Sequence, residues 1–301
     1  MIYLFQQALN GLHSGALYAL LAFGYALTNG TLKRTNLAYG GLFAFGGQTM
    51  ILVAVFGWNV LWLTLPATVA LGIAIALAYV ALVSSLLAGR VLRPLAAASP
   101  NAIVTATLGV LIALTEFSRI AADTHDFWLP PMLAIPVVFA RTGSFEATMT
   151  VIQLLNCALA SVALILGGIA LSRSNFGRAW RAVCDDPGAA ALCGADTDKI
   201  SHLAIVAGGL CAATAGIMAG LFYGNIGFGA GLIYGLKILF VTAVGGYLSP
   251  SRAALGAAAY GLVESLWAGY FPVEWREAWM LVMLAAMLVL IGAGRDGVKA
   301  A

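Results

Sequence analysis

Two stretches of this chain, Met1–Leu32 and Thr35–Gly89, contain no Asp, Glu, Lys or Arg. Uncharged apolar runs of this length belong in lipid. They reach the roughly twenty residues that a helix needs to cross. Composition points the same way: 62% of the 301 residues are hydrophobic and 9% charged, against about 25% charged in soluble domains. The chain is therefore expected to be an all-α polytopic membrane protein, forming a single transmembrane domain over residues 1–301. A net charge of +3 is too small to suggest a nucleic-acid partner.

Spans are predicted near Gln7–Thr28, Leu37–Phe56, Leu61–Leu87, Ala102–Ile120, Thr150–Leu171, Leu203–Tyr223, Leu232–Tyr247, Ala253–Tyr270 and Ala278–Gly292. The seventh is short, edged by glycine and holds Lys237, so it reads as a span, a half-span or a re-entrant element, and the count is eight or nine. The N-terminal stretch lacks the basic start of a signal peptide and is long enough to span, so it is read as a retained first span. If the charged segment Arg173–His202 is cytoplasmic, alternation puts eleven of the fifteen Lys and Arg inside, as the positive-inside rule requires. The N-terminus is then outside and the C-terminus cytoplasmic, provided nine segments cross. Trp58, Trp62, Trp267, Trp275 and Trp279 fall at outer span ends, where amphipathic rings favour the interface. Small residues at helical spacing, Gly11/Gly15 and Gly208/Ala212/Ala215/Ala219, suit close helix approach, within the chain or between subunits.

Charge collects in the loop 173–202, which carries Arg173, Arg178, Arg181, Asp185, Asp186, Asp196, Asp198 and Lys199. It reads as two short helices. In Asn175–Val183, Phe176, Trp180 and Val183 share one face, and Arg181 stands four residues before Asp185. The second is punctuated explicitly: Asp186 as cap, Pro187 at the first position, Gly188–Cys193 as body and Gly194 as stop. Two turns are marginal alone in water, and Ala189, Ala190, Leu192 and Cys193 are apolar. The helix must therefore rest on the chain's own span ends, on the membrane surface, or in a groove of a cytosolic partner.

At this point the chain resembles the permease subunits of ABC importers of the branched-chain amino acid type. The resemblance rests on Asn10-Gly11, Gly15–Gly24 (GALYALLAFG), Asn36–Gly40 (NLAYG), Arg93-Pro94-Leu95 with Ser99-Pro100, Thr107-Leu108-Gly109, the loop FGRAWRAVCDDPGAAALCG, Gly235–Lys237, Gly245-Gly246 and Leu262–Ser265 (LVES). It implies that the loop helix is a coupling helix seated in an ATPase subunit. Gly188-Ala189-Ala190 and Gly194 then stand where such permeases have E-A-A-x-x-x-G, with Gly188 in place of the acid. It also implies two ATP-binding subunits, a second and different permease chain, a solute-binding protein outside, and an inner-membrane location. The family's N-F-A-H-G-E reads Asn36-Leu37-Ala38-Tyr39-Gly40-Gly41 here, so no role of that His and Glu carries over.

No catalytic constellation is visible. His13, His125 and His202 lie far apart, there is no phosphate-binding loop, and Cys157, Cys184, Cys193 and Cys211 show no metal-ligand spacing. The chain is expected to be a transport subunit without enzymatic activity, metal or cofactor. Candidate coupling residues are Arg178, Arg181, Asp186, Pro187, Ala189, Ala190 and Gly194. Candidate path residues are Asn36, Lys237 and Glu264, because a charge inside a span is costly and should face protein or water. The resemblance implies branched-chain amino acids, urea, short amides and aromatic acids as candidate solutes. The competing reading is an ion- or proton-coupled secondary transporter, a class that places acids or broken helices at the midplane.

Overall fold

A computed structural model describes residues 2–95, 100–142, 145–247 and 249–299; Ser99 of the Ser99-Pro100 motif lies outside them. Each of the nine predicted segments is a helix, most of them a few residues longer than expected. The helices are α1 (Ile2–Leu32), α2 (Ala38–Asn59), α3 (Leu65–Leu86), α5 (Pro100–Ala121), α6 (Val151–Arg173), α9 (Thr197–Tyr223), α10 (Ala230–Gly245), α11 (Pro250–Tyr270) and α12 (Arg276–Lys299). A π-helical turn, Leu87–Leu92, and a short α4 (Arg93–Leu95) prolong α3. The loop 173–202 carries α7 (Asn175–Asp185) and α8 (Pro187–Leu192).

The fold is an all-α polytopic membrane protein. Helices α2, α3 with its extension, α5, α6 and α9 are each long and apolar enough to cross, and α10 with α11, bent by 118° at their junction, would make a sixth by the same measure. The expected eight or nine is not reached on that measure. Helix α1 is uncharged and 31 residues long, but Gln6, Gln7, Asn10 and His13 dilute the hydropathy of its first half. The bend, where Gly246 has φ +91°, sits where the sequence left a re-entrant element open.

The segment between α5 and α6 holds one element that periodicity did not announce. Strands β1 (Pro136–Thr142) and β2 (Phe145–Thr150) pair antiparallel. Thr150 then starts α6 with a reciprocal cap, since its hydroxyl accepts from Gln153 N while the Gln153 side chain accepts from Thr150 N.

Helices α1, α2 and α9 form the centre, with almost every residue of α1 from Gly15 to Gly30 buried. The small-residue rows serve packing within the chain: Gly11 and Gly15 meet α11, and Gly208 and Gly216 meet α1 and α2. A tight seam joins α2 to α10, where a Cβ on Gly40 would stand 2.1 Å from the Gly231 carbonyl oxygen. Only glycine permits backbones to approach so closely. Helices α5 and α6 lie at the periphery with mostly exposed faces, as expected where lipid is the solvent. Asn156 on α6 ties three elements together, reaching the His13 ring of α1 (3.2 Å) and donating to the Met218 carbonyl of α9 (3.1 Å).

Candidate functional site

Two places concentrate polar chemistry. The first is the α7–α8 loop. The Ser174 hydroxyl caps α7 by accepting from Gly177 N. The helix is strongly two-sided, burying Trp180, Val183 and Cys184 and exposing Arg178. Trp180 is the anchor: its indole Nε1 donates to the Leu27 carbonyl at 3.0 Å, and its ring lies against Gly30 of α1. Lys33 closes the far end, donating from Nζ to the Asp185 carbonyl at 3.1 Å. Burial pushes the Cys184 thiol up to about 12, which keeps it protonated and inert.

Helix α8 is built as its sequence predicts. Asp186 Oδ1 accepts from Gly188 N (2.8 Å) and Ala189 N (3.1 Å), and Pro187 occupies the first position. At the other end Gly194 has φ +87°, and Gly194 N and Ala195 N donate to the Ala191 and Ala190 carbonyls. This is the paired closure of a left-handed helix stop.

The structure adds two details that the sequence of this loop left open. Ala190 does not share an outward apolar face with Ala189, Leu192 and Cys193. It is buried in a cluster with Trp180, Val183, Cys184 and Ile200, because a helix two turns long must seat one side on something to persist. The exposed apolar side is Ala189, Leu192 and Cys193, with Leu192 92% exposed. The Arg181–Asp185 pair does not form either. Arg181 Nη1 donates to the Leu171 carbonyl at 2.5 Å, serving the carbonyl end of α6, where unpaired acceptors and the helix dipole favour a cation.

A cavity of about 510 Å³ with a mixed polar and apolar lining opens beside the loop, bounded by Lys33, Arg34, Arg93 and His202 and on one wall by the π-helical turn. Arg93 pairs with Asp198 across its rim. The Asp196 carboxyl is held below the ordinary carboxylate range by its hydrogen bond to Lys199.

The second place brings Lys237 and Glu264 together, as the sequence allowed. Lys237 Nζ lies 2.9 Å from Glu264 Oε1, both side chains being more than nine-tenths buried. The sequence missed two further members, Arg276 and Glu277, which it left in an outer loop. Glu277 Oε2 is 2.6 Å from Lys237 Nζ and Glu277 Oε1 is 3.0 Å from Arg276 Nη2, while Arg276 Nε is 3.7 Å from Glu264 Oε1. The four charges form a closed ring that alternates in sign and sums to zero. Glu264 Oε2 is buried and has no hydrogen-bond partner among the described residues. Lys237 Nζ also stands 5.6 Å from the Tyr234 ring centroid, within cation–π range. Tyr234 in turn packs on Phe43 of α2 and Tyr18 of α1. Asn36 does not join this group. Its Oδ1 accepts from Ala38 N at the start of α2, and its buried Nδ2 lacks a partner among the described residues. Nor do three His, Cys, Asp or Glu converge as a metal site among the described residues.

A family model described as branched-chain amino acid transport system / permease component matches residues 7–292. The chain belongs to this permease family. Among curated proteins it is similar to the high-affinity branched-chain amino acid transport system permease protein LivH of Escherichia coli (strain K12), at 28% identity over 97% of this chain and 95% of the relative. It is similar to BraD of Pseudomonas aeruginosa at 27% identity, over 95% of this chain and 92% of the relative. A probable branched-chain amino acid transport permease protein LivH of Methanocaldococcus jannaschii is 27% identical over 91% of this chain and 86% of its own length. No solved structure matches. Membership of a permease family makes the chain a transport component. The match also spans both the charge ring and the loop that carries α8, so neither is an appendage to the family domain.

Proposed function

We propose that this permease is the membrane-spanning subunit of an ATP-driven importer of branched-chain amino acids, with its single domain forming one half of the translocation path. It sits in the inner membrane with the N-terminus outside and the loop 173–202 cytoplasmic. Two ATP-binding subunits, a different permease chain and an extracytoplasmic solute-binding protein complete the assembly. The observation that carries this reading is α8. It is a two-turn helix capped at both ends and fixed by Ala190 on one side, and it holds Leu192 out into solvent on the other. A side chain as apolar as Leu192, left 92% exposed on a helix so carefully held, suits a groove in a partner. Arg178, Asp186, Pro187, Ala189 and Gly194 shape and flank that contact. Arg181 and Ala190 act behind it by fixing the loop to the bundle. The printed names of the relatives support the solute class. Closure of the ATPases then favours one of two permease conformations through differential contact with α8.

The test is co-expression with candidate ATPase subunits followed by co-purification. The native chain is expected to retain them, and Leu192→Glu to lose them by about tenfold or more, as for a central apolar anchor, while staying inserted in the membrane. Unchanged transport by Leu192→Glu, or solute movement down an ion gradient with no ATPase present, would overturn the reading.

A further inference from the structure

We infer that the ring Lys237–Glu264–Arg276–Glu277 is a transient seat for the zwitterionic head of an α-amino acid during passage, an inference that rests on the importer reading above. The argument starts from charge balance. Buried ion pairs add little to stability over apolar packing, so four buried or half-buried charges at one junction call for another use. In the ring each carboxylate touches both cations, at 2.6 to 3.7 Å. Opening the ring at one contact exposes one cation and one anion to whatever enters. An α-amino acid brings a carboxylate and an ammonium on one carbon, so inserting it gives a six-membered ring that still alternates in sign. The net charge of the site stays zero throughout. A lone cation, a lone carboxylate or an uncharged amide cannot do this: the first two leave an unbalanced charge in an apolar setting, and the last leaves the opened pair unmatched.

Two further observations favour this occupant. Glu264 Oε2 is a buried acceptor without a partner among the described residues, and an ammonium has three donors to offer. The ring also abuts an apolar aromatic wall, since Tyr234 lies under Lys237 and packs on Tyr18 and Phe43; an aliphatic side chain would lie against that wall. The space among Tyr18, Phe43 and Tyr234 is only about 20 Å³, room for one water, so the seat is closed in this conformation. Arg276 and Glu277, more exposed than Lys237 and Glu264, mark the side of entry.

The experiment uses the complete complex in proteoliposomes with its binding protein and ¹⁴C-L-leucine. ATP-dependent uptake by the native complex tests the importer reading by itself. The present inference is read from Lys237→Met/Glu264→Gln, which removes the pair without leaving an unpaired charge. Co-purification with the ATPases should survive, and uptake should fall by about thirtyfold or more, the scale of a lost buried charge contact. Lys237→Arg/Glu264→Asp, which keeps both charges, should recover most of it. Uptake by the neutral double variant within about twofold of native, a factor worth little in free energy, would mean that the ring is merely structural and overturn the inference. Should the neutral variant fail to assemble, equilibrium dialysis on the native complex without binding protein decides. Bound ¹⁴C-L-leucine should be displaced by L-valine, and not by 4-methylpentanoate or 3-methylbutylamine, which each carry half of the head group. Displacement by either half-molecule as effectively as by valine, or no binding at all, would overturn it.

Discussion

At the scale of single residues, the informative positions are those where neighbours leave no freedom. Gly40 is one. A valine there would drive its Cβ to 2.1 Å from the Gly231 carbonyl, and because backbone cannot move aside as a side chain can, the loss should reach about 3 kcal/mol, the upper range of overpacking. Thermal unfolding in detergent, followed by tryptophan fluorescence, measures it. Lys237 is another. Lys237→Met leaves Glu264 with only the 3.7 Å contact to Arg276, so the cost is expected at the low end of the 3–5 kcal/mol for a broken buried pair, about 3 kcal/mol. Adding Glu264→Gln should recover most of that stability in the same measurement.

At the scale of elements, caps decide how firmly the short helices are held. Asp186→Ala removes the acceptor for two amides of α8 and should cost about 1 kcal/mol; faster hydrogen exchange at Ala189 and Ala190, with α7 unaffected, would show it. Asp196 gives a pH dependence with a definite sign. Its carboxylate accepts from Lys199 N at the start of α9 and its folded pKa is lowered, so this contribution is present above the ordinary aspartate value and is lost as pH falls through the depressed one. Protection of the Lys199 amide should therefore hold down to about pH 4 and fade only below it. Both loop helices were legible in the sequence because punctuation is local: Asp-Pro at the start and Gly at the end act on their nearest neighbours. The side on which α8 is seated was not legible. Every residue of Gly188–Cys193 is small or apolar, so only the tertiary pocket made by Trp180, Val183 and Ile200 distinguishes Ala190 from Ala189. The ring was half legible for the same reason. A charge inside an apolar run marks Lys237 and Glu264, whereas Arg276 and Glu277 stand at a helix start, where charges are ordinary and nothing local points to a residue forty positions back.

At the scale of the whole molecule, the nine predicted segments agree with the helices because apolar length and uncharged composition are properties of a segment alone. The hairpin β1–β2 is local, but its largely exposed first strand shows no alternation of buried and exposed residues, and the bend between α10 and α11 was marked in the sequence only as a short, glycine-edged segment that left span, half-span and re-entrant element open. Orientation is open to a direct check with two cysteines. Cys193 is exposed and Cys184 is buried with its thiol pushed up to about 12. A membrane-impermeant maleimide at pH 8 should label Cys193 in inverted vesicles and not in right-side-out ones, and should leave Cys184 untouched until the protein is denatured. Labelling of Cys193 from the opposite face would reverse the topology.

Helix α1 has a mechanical consequence. It is 31 residues long without interruption, a rod of about 46 Å at 1.5 Å per residue. Near its C-terminal end Leu27 and Gly30 grip the Trp180 indole, and further back Tyr18 leans on the ring of Tyr234 that underlies Lys237. A stiff strut that touches both places cannot tilt at one without displacing the other. A load applied at Leu192 would therefore have a physical route to the ion pairs deep in the bundle that bypasses the peripheral helices α5 and α6.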